Sequence, residues 1–204
     1  MKLASNFCLL CFCVVFLCSC SETPTLRPLS TGDVVLAFGD SLTYGTGAGK
    51  AESYPSILED MIGYRVVNAG IPGEVSGNGL KRFPGVLDDT QPALVILIHG
   101  GNDLLRRRSS ASMAGNLLAM IDIAQSRGID VVMLGVPKPG LILSAHDEYE
   151  KIAAMTGIPS DLDIIGDVLQ FPANKSDAVH PNAKGYRLMA EAVTELLQDH
   201  GALP

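Results

Sequence analysis

The residues best suited to chemistry in this 204-residue chain are a serine, a histidine with an aspartate three positions ahead of it, and two glycine-rich loops. Ser41 lies in Phe38-Gly39-Asp40-Ser41-Leu42-Thr43. A serine hydroxyl is a weak nucleophile and needs an adjacent base. The histidines are His99, His146, His180 and His200. His180 sits in Asp177-Ala178-Val179-His180-Pro181. On a turn, an aspartate at that spacing can accept the ring N–H, fix the tautomer and support the imidazolium. Asn68-Ala69-Gly70-Ile71-Pro72-Gly73 and Gly100-Gly101-Asn102-Asp103 supply the loops. Glycine lets a backbone N–H face a substrate, and the Asn102 amide can donate through its side chain. Donors aimed at a developing oxyanion are what acyl transfer requires.

These residues need a scaffold that brings them to one place. Val34 to Phe38, Leu94 to Ile98 and Val131 to Leu134 are continuous apolar runs, and Tyr64 to Val67 is a shorter one. Such runs predict strands covered on both faces, as in a parallel sheet. After Ser53, a candidate N-cap, Tyr54, Ile57, Leu58, Met61 and Ile62 recur at helical spacing until Gly63. Met113, Leu117, Ile121 and Ala124 form a second stripe, ended by Gly128. Tyr186, Met189, Ala190, Val193, Leu196 and Leu197 form the last. The order reads β-α-β-α-β-α-β, then a fifth strand near Ile158 to Asp161 and a closing helix. Right-handed crossovers turn that order into a three-layer α/β/α sandwich. Its site is expected beyond the carboxyl ends of the strands, where the segments after Phe38, Val67 and Ile98 meet.

Gly39-Asp40-Ser41-Leu42, Gly73, Gly100-Gly101-Asn102-Asp103 and Asp177-x-x-His180 resemble, in order, the four blocks of the SGNH (GDSL) hydrolase family. The likeness runs from about Val34 to Leu197. Val67-Asn68-Ala69-Gly70 with Gly73-Glu74, and His180-Pro181-Asn182, are similar to its bacterial multifunctional thioesterase/arylesterase/lysophospholipase branch. The resemblance implies a flavodoxin-like five-stranded parallel sheet. It implies Ser41 as nucleophile, His180 as base and Asp177 as the residue orienting His180. It implies an oxyanion hole of the Ser41 and Gly73 backbone N–H groups and the Asn102 amide, with no metal or cofactor. The activity implied is hydrolysis of carboxylic esters or thioesters through an acyl-enzyme, with a small ester or lysolipid as substrate. His99 departs from the pattern.

Each block also has a plainer reading. Gly39-Asp40-Ser41 alone suits a β-turn or a helix N-cap. His180-Pro181-Asn182 could simply start the last helix, with Asn182 as its cap. His99 reads as a satisfied rim or core histidine, or else as a contact near the substrate. Arg106, Arg107 and Arg108 read as a solvated stretch, or else as a phosphate contact. Gly45 to Lys50 fails the phosphate-loop pattern, with Tyr44 and Ala51 at decisive positions, and reads as a flexible loop beside the site.

The N-terminus reads as an address. Phe7 to Leu17 is an apolar run of 11 residues after Lys2, too short to span a membrane and suited to a signal peptide. Leu17-Cys18-Ser19-Cys20 resembles the bacterial lipoprotein box, which implies lipid on Cys20. The organisation expected is a signal peptide at 1–19, a lipidated tether at 20–32 and the hydrolase domain at 33–200. All five cysteines fall within the first twenty residues, leaving none for a disulfide framework or thiolate metal site beyond them. The formal charge of −7 argues against a nucleic-acid partner. No obligate protein partner is evident. The place expected is the bacterial cell envelope, with the enzyme held to a membrane by Cys20. Alternatives are a carbohydrate O-acetylesterase on the same fold and a non-catalytic lipid- or glycan-binding lipoprotein. A metal-dependent phosphoesterase is weaker, because only His99 and His180 lie near the rim.

Overall fold

Four apolar runs and one two-residue strand build a parallel sheet in the order β2-β1-β3-β4-β5. The computed structural model describes residues 25–138, 140 and 143–204. The strands are β1 (Val34–Gly39), β2 (Arg65–Gly70), β3 (Leu94–Ile98), β4 (Asp130–Leu134) and β5 (Ser160–Asp161). The expectation of strands covered on both faces holds best at the centre. β3 is buried throughout, and β1 from Val35 onward. At the edge, β2 mixes buried and exposed positions and runs three residues past the apolar stretch, to Gly70.

The helices are α1 (Ser41–Tyr44), α2 (Tyr54–Ile62), α3 (Ser76–Thr90), α4 (Gly101–Leu105), α5 (Ser110–Ser126), α6 (Asp147–Thr156), α7 (Ile164–Gln170) and α8 (Ala183–Asp199). α2 packs on α8, while α3 packs on α5 and α5 on α6. With right-handed crossovers these groups cover opposite faces of the sheet, giving the flavodoxin-like three-layer α/β/α sandwich. α2 ends at Gly63 in a left-handed cap, as its sequence predicts. Ser53 precedes it in extended backbone, but its hydroxyl donates to the Lys50 carbonyl instead of capping the helix. The sequence names no residues for α3. Gly77, Gly79, Gly85 and Pro84 all lower helix propensity there, and the buried Phe83 and Leu87 hold it against the sheet.

Two expectations are corrected. The tether reading of 20–32 does not hold for Leu26 to Leu29. The Leu26 N–H donates to the His200 carbonyl at 2.8 Å and the Leu29 N–H to the Ala202 carbonyl at 2.9 Å. Both leucines, with Ala202 and Leu203, join the hydrophobic core, so the folded body extends beyond 33–200 at each end. The Gly45 to Lys50 loop is fastened rather than loose. Two of its N–H groups, on Gly45 and Thr46, bond the Ser41 carbonyl, and the Tyr186 hydroxyl donates to the Thr46 carbonyl at 2.8 Å. The signal peptide and Cys20 lie outside the described residues.

Candidate active site

Gly39, the last residue of β1, pairs with Gly70 on one side and Ile98 on the other. The three chain segments that follow therefore leave the sheet side by side. Ser41 opens α1, and Asp40 is its N-cap, accepting from the Leu42 N–H at 3.1 Å. The N-cap reading of this block is thus realised.

His180 comes from the other end of the chain. Its Nε2 lies 3.0 Å from Ser41 Oγ, and its Nδ1 lies 2.8 Å from Asp177 Oδ2. The second Asp177 oxygen accepts the N–H groups of Val179 and His180, each at 2.8 Å. Partial burial acts to raise the Asp177 pKa, but the His180 ring and these two N–H groups hold it below the ordinary carboxylate value. The turn is anchored on α8, where Asn182 caps the helix through Gly185 N–H and donates to the Ala173 carbonyl. The series Asp177–His180–Ser41 can carry a proton off the hydroxyl and hold the resulting imidazolium.

The donors converge on the same place. Gly73 has φ +77°, a left-handed conformation that disfavours a side chain, and its carbonyl accepts from Arg106 Nη2 at 2.9 Å. Asn102 donates one amide hydrogen to Asp40 Oδ2 at 3.1 Å. An amide has two, so the other remains for a substrate oxygen. Burial pushes the Asp40 carboxyl above its ordinary pKa, against the lowering pull of the Leu42 N–H and the Asn102 amide. Asp103 turns away from the cavity and accepts the N–H and hydroxyl of Ser76.

Ser41, Gly73, Asn102 and His180 line one cavity of about 430 Å³. Its wall is mostly apolar, with Leu42, Pro72, Leu105, Val136, Leu143, Leu169 and Val179. The residues named from sequence as nucleophile, base, orienting acid and donors are brought together. His99 is buried beside the site but does not line the cavity. It accepts from the Gly100 N–H through Nδ1 at 2.9 Å, and its Nε2 faces Glu74 at 3.2 Å, so the ring proton sits on Nε2. His146 is a helix cap, accepting from Glu148 N–H ahead of α6. Arg106 to Arg108 are exposed, as a solvated stretch should be, but the bond from Arg106 to Gly73 was not legible in the sequence. Nor was Arg82 on α3, whose guanidinium contacts Glu74, Gly39 and Ala69. It carries no motif, and the glycines and Pro84 of its helix read as breakers.

A hydrogen-bonded serine, histidine and carboxylate over an apolar cavity, on a flavodoxin-like sheet, define a serine acyl hydrolase. The model of the GDSL-like Lipase/Acylhydrolase family matches residues 37–188, and the chain belongs to that family. It is a serine ester hydrolase of the SGNH type. The chain is 33% identical over 130 residues to Esterase TesA of Pseudomonas aeruginosa, covering 61% of this chain. That match spans 65% of the Pseudomonas protein, just under two thirds of its length. It is 32% identical over 177 residues to the Arylesterase of Vibrio mimicus, covering 81% of this chain and 88% of the arylesterase. Among solved structures, the crystal structure of TesA matches with a TM-score of 0.75 and 27% identity, over 82% of this chain and 99% of that one.

Proposed function

We propose that Ser41 attacks the acyl carbon of an ester or thioester while His180 Nε2 takes its proton. The tetrahedral oxyanion is held by the Ser41 and Gly73 N–H groups and the Asn102 amide. Its collapse releases the alcohol or thiol, protonated by His180. Water then attacks the acyl-enzyme, giving up a proton to His180, and the acid leaves as Ser41 recovers its hydrogen. Asp177 orients the ring throughout. The observation that carries this reading is the unbroken series of contacts, 2.8 and 3.0 Å long, ending at a serine hydroxyl inside the cavity.

The apolar wall favours an acyl chain over the bare acetyl group of a sugar ester, and the volume falls in the range of small-molecule sites. The substrates we propose are acyl esters of aryl or alkyl alcohols and lysophospholipids. Lipid on Cys20 would place the enzyme in the cell envelope, where bulk acyl-coenzyme A is an awkward substrate. The Leu17-Cys18-Ser19-Cys20 stretch supports this reading.

A series of p-nitrophenyl esters from acetyl to palmitoyl tests the assignment. Activity is expected to rise from acetyl to medium chains. Ser41→Ala and His180→Ala should each abolish nearly all of it, since nucleophile and base act as a unit. Retention of activity in either variant would overturn the proposal.

A further inference from the structure

We infer that Glu74 is the positioning residue of the oxyanion hole, tying together through Arg82 and His99 the three segments that carry its donors. The inference rests on the reading of Ser41, Gly73 and Asn102 as those donors. Glu74 is the residue after Gly73. Its carboxylate takes Arg82 Nε at 3.0 Å to each oxygen and Arg82 Nη2 at 2.8 Å. The same Nη2 donates to the Gly39 carbonyl at 3.2 Å, two residues before Ser41, and to the Ala69 carbonyl at 2.9 Å. On the other side, Glu74 Oε2 accepts His99 Nε2 at 3.2 Å. His99 in turn accepts the N–H of Gly100, two residues before Asn102. One carboxylate thereby joins the ends of β1, β2 and β3.

The arrangement is built into the surrounding core. Glu74 is 9% exposed and His99 1%. The Arg82 guanidinium lies over the Phe38 ring, 4.0 Å from its centroid, and Phe83 packs edge-on against Phe38. α3 carries Gly79 where a Cβ would run into the His99 imidazole, so the helix leaves room for that ring. Burial acts to raise the Glu74 pKa, but the His99 and Arg82 hydrogen bonds hold it below its ordinary value. None of Glu74, Arg82 and His99 lines the cavity. Their effect is exerted by holding donors at fixed positions, which is what transition-state stabilisation by preorganised dipoles requires.

The test uses the purified protein, with each variant's thermal unfolding recorded first and kinetics taken well below its midpoint. Glu74→Gln keeps an oxygen for His99 and removes the charge facing Arg82. His99→Leu removes the link to Gly100, His99→Gln restores a donor toward Glu74, and Gly79→Ala displaces the ring without removing it. On a soluble p-nitrophenyl ester, Glu74→Gln and His99→Leu are expected to lower kcat by about 10- to 100-fold, short of or equal to the loss of one donor. KM should stay within about twofold, as for an interaction made mainly in the transition state. Affinity for an alkylboronic acid, which mimics the tetrahedral state, should fall in parallel with kcat, while that for the non-hydrolysable ether analogue holds. His99→Gln should recover much of the kcat lost in His99→Leu, and Gly79→Ala should resemble His99→Leu. If Glu74→Gln fails to fold, the two His99 variants and Gly79→Ala decide the matter. Folded variants with unchanged kcat, or with ether and boronate affinities falling together, would overturn the inference. Should Ser41→Ala keep full activity, the reading of the site itself would fail instead.

Discussion

Asp40 serves two structural ends with one carboxylate. One oxygen caps α1 through the Leu42 N–H, and the other takes an amide hydrogen of Asn102. Asn102 is thereby oriented with one hydrogen free, at the cost of a buried charge that raises the Asp40 pKa. The sign of that shift gives a prediction. A carboxyl whose folded pKa lies above its unfolded value destabilises the fold at neutral pH, and the penalty fades as it protonates. Stability measured against Asp40→Asn should therefore move in favour of the native protein as pH falls from 7 toward 4. Urea titrations at several pH values would show it, and the opposite trend would contradict the shift. kcat should fall in the variant, because an asparagine puts an acceptor at only one of the two positions that Leu42 and Asn102 address, and a donor at the other. At this scale the triad and donors were legible because each block packs its chemistry into a few consecutive residues. Arg82 was not, since it meets Glu74 only when the seven intervening residues have folded into a loop and the first turns of α3.

At the scale of elements, the sheet positions the site because its central strands are buried on both faces. Ile96, midway along β3, is fully buried, pairing with Ala37 of β1 and Val132 of β4. Ile96→Ala should destabilise the protein by about 2–5 kcal/mol, the transfer loss plus the cavity left behind. The expected signature is a lower urea midpoint with an unchanged slope. A loss under about 1 kcal/mol would mean that the sheet centre can collapse around the gap. β3 was read to the residue because every position in it is apolar. The outer half of β2 was not, since Asn68, Ala69 and Gly70 owe their strand geometry to pairing with β1 rather than to their own preferences. α3 was placed in the element order but without residues, because its three glycines and Pro84 read as breakers while the burial of Phe83 and Leu87 outweighs that composition. Asn182 shows the converse case, a cap visible in the sequence and realised in α8.

At the scale of the whole molecule, the N-terminal segment and the site occupy opposite ends of the strands. Arg27 N–H bonds the Asp130 carboxylate at the start of β4, and the Tyr64 hydroxyl, just before β2, donates to the Leu29 carbonyl. Ser41, Gly73 and Asn102 follow the far ends of β1, β2 and β3. A strand of this length rises roughly 20 Å. The chain from Cys20 to Leu26 reaches at most about 20 Å even if fully extended. The proposed lipid on Cys20 would therefore attach at the end of the body opposite the cavity. Cys20→Ala should move the protein from the membrane to the soluble fraction, with the hydrolysis of a water-soluble ester unchanged per molecule. Retention of the variant at the membrane would refute lipid anchoring. A gain in soluble-ester activity on release would argue that the anchored site faces the membrane. The tether reading failed for Leu26 and Leu29 because two leucines among polar residues and prolines give no periodic signal. They are placed by Tyr64 and by the backbone around His200 and Ala202, which a local reading cannot supply.

The account depends on one hydroxyl becoming acylated beside an imidazole. Treatment of the folded protein with an alkyl fluorophosphonate, followed by peptide mass spectrometry, tests that most directly. The prediction is a single stoichiometric adduct on Ser41 that forms in step with loss of esterase activity and is absent from His180→Ala. Full activity with Ser41 unlabelled, or an adduct on another serine that tracks inactivation, would contradict it.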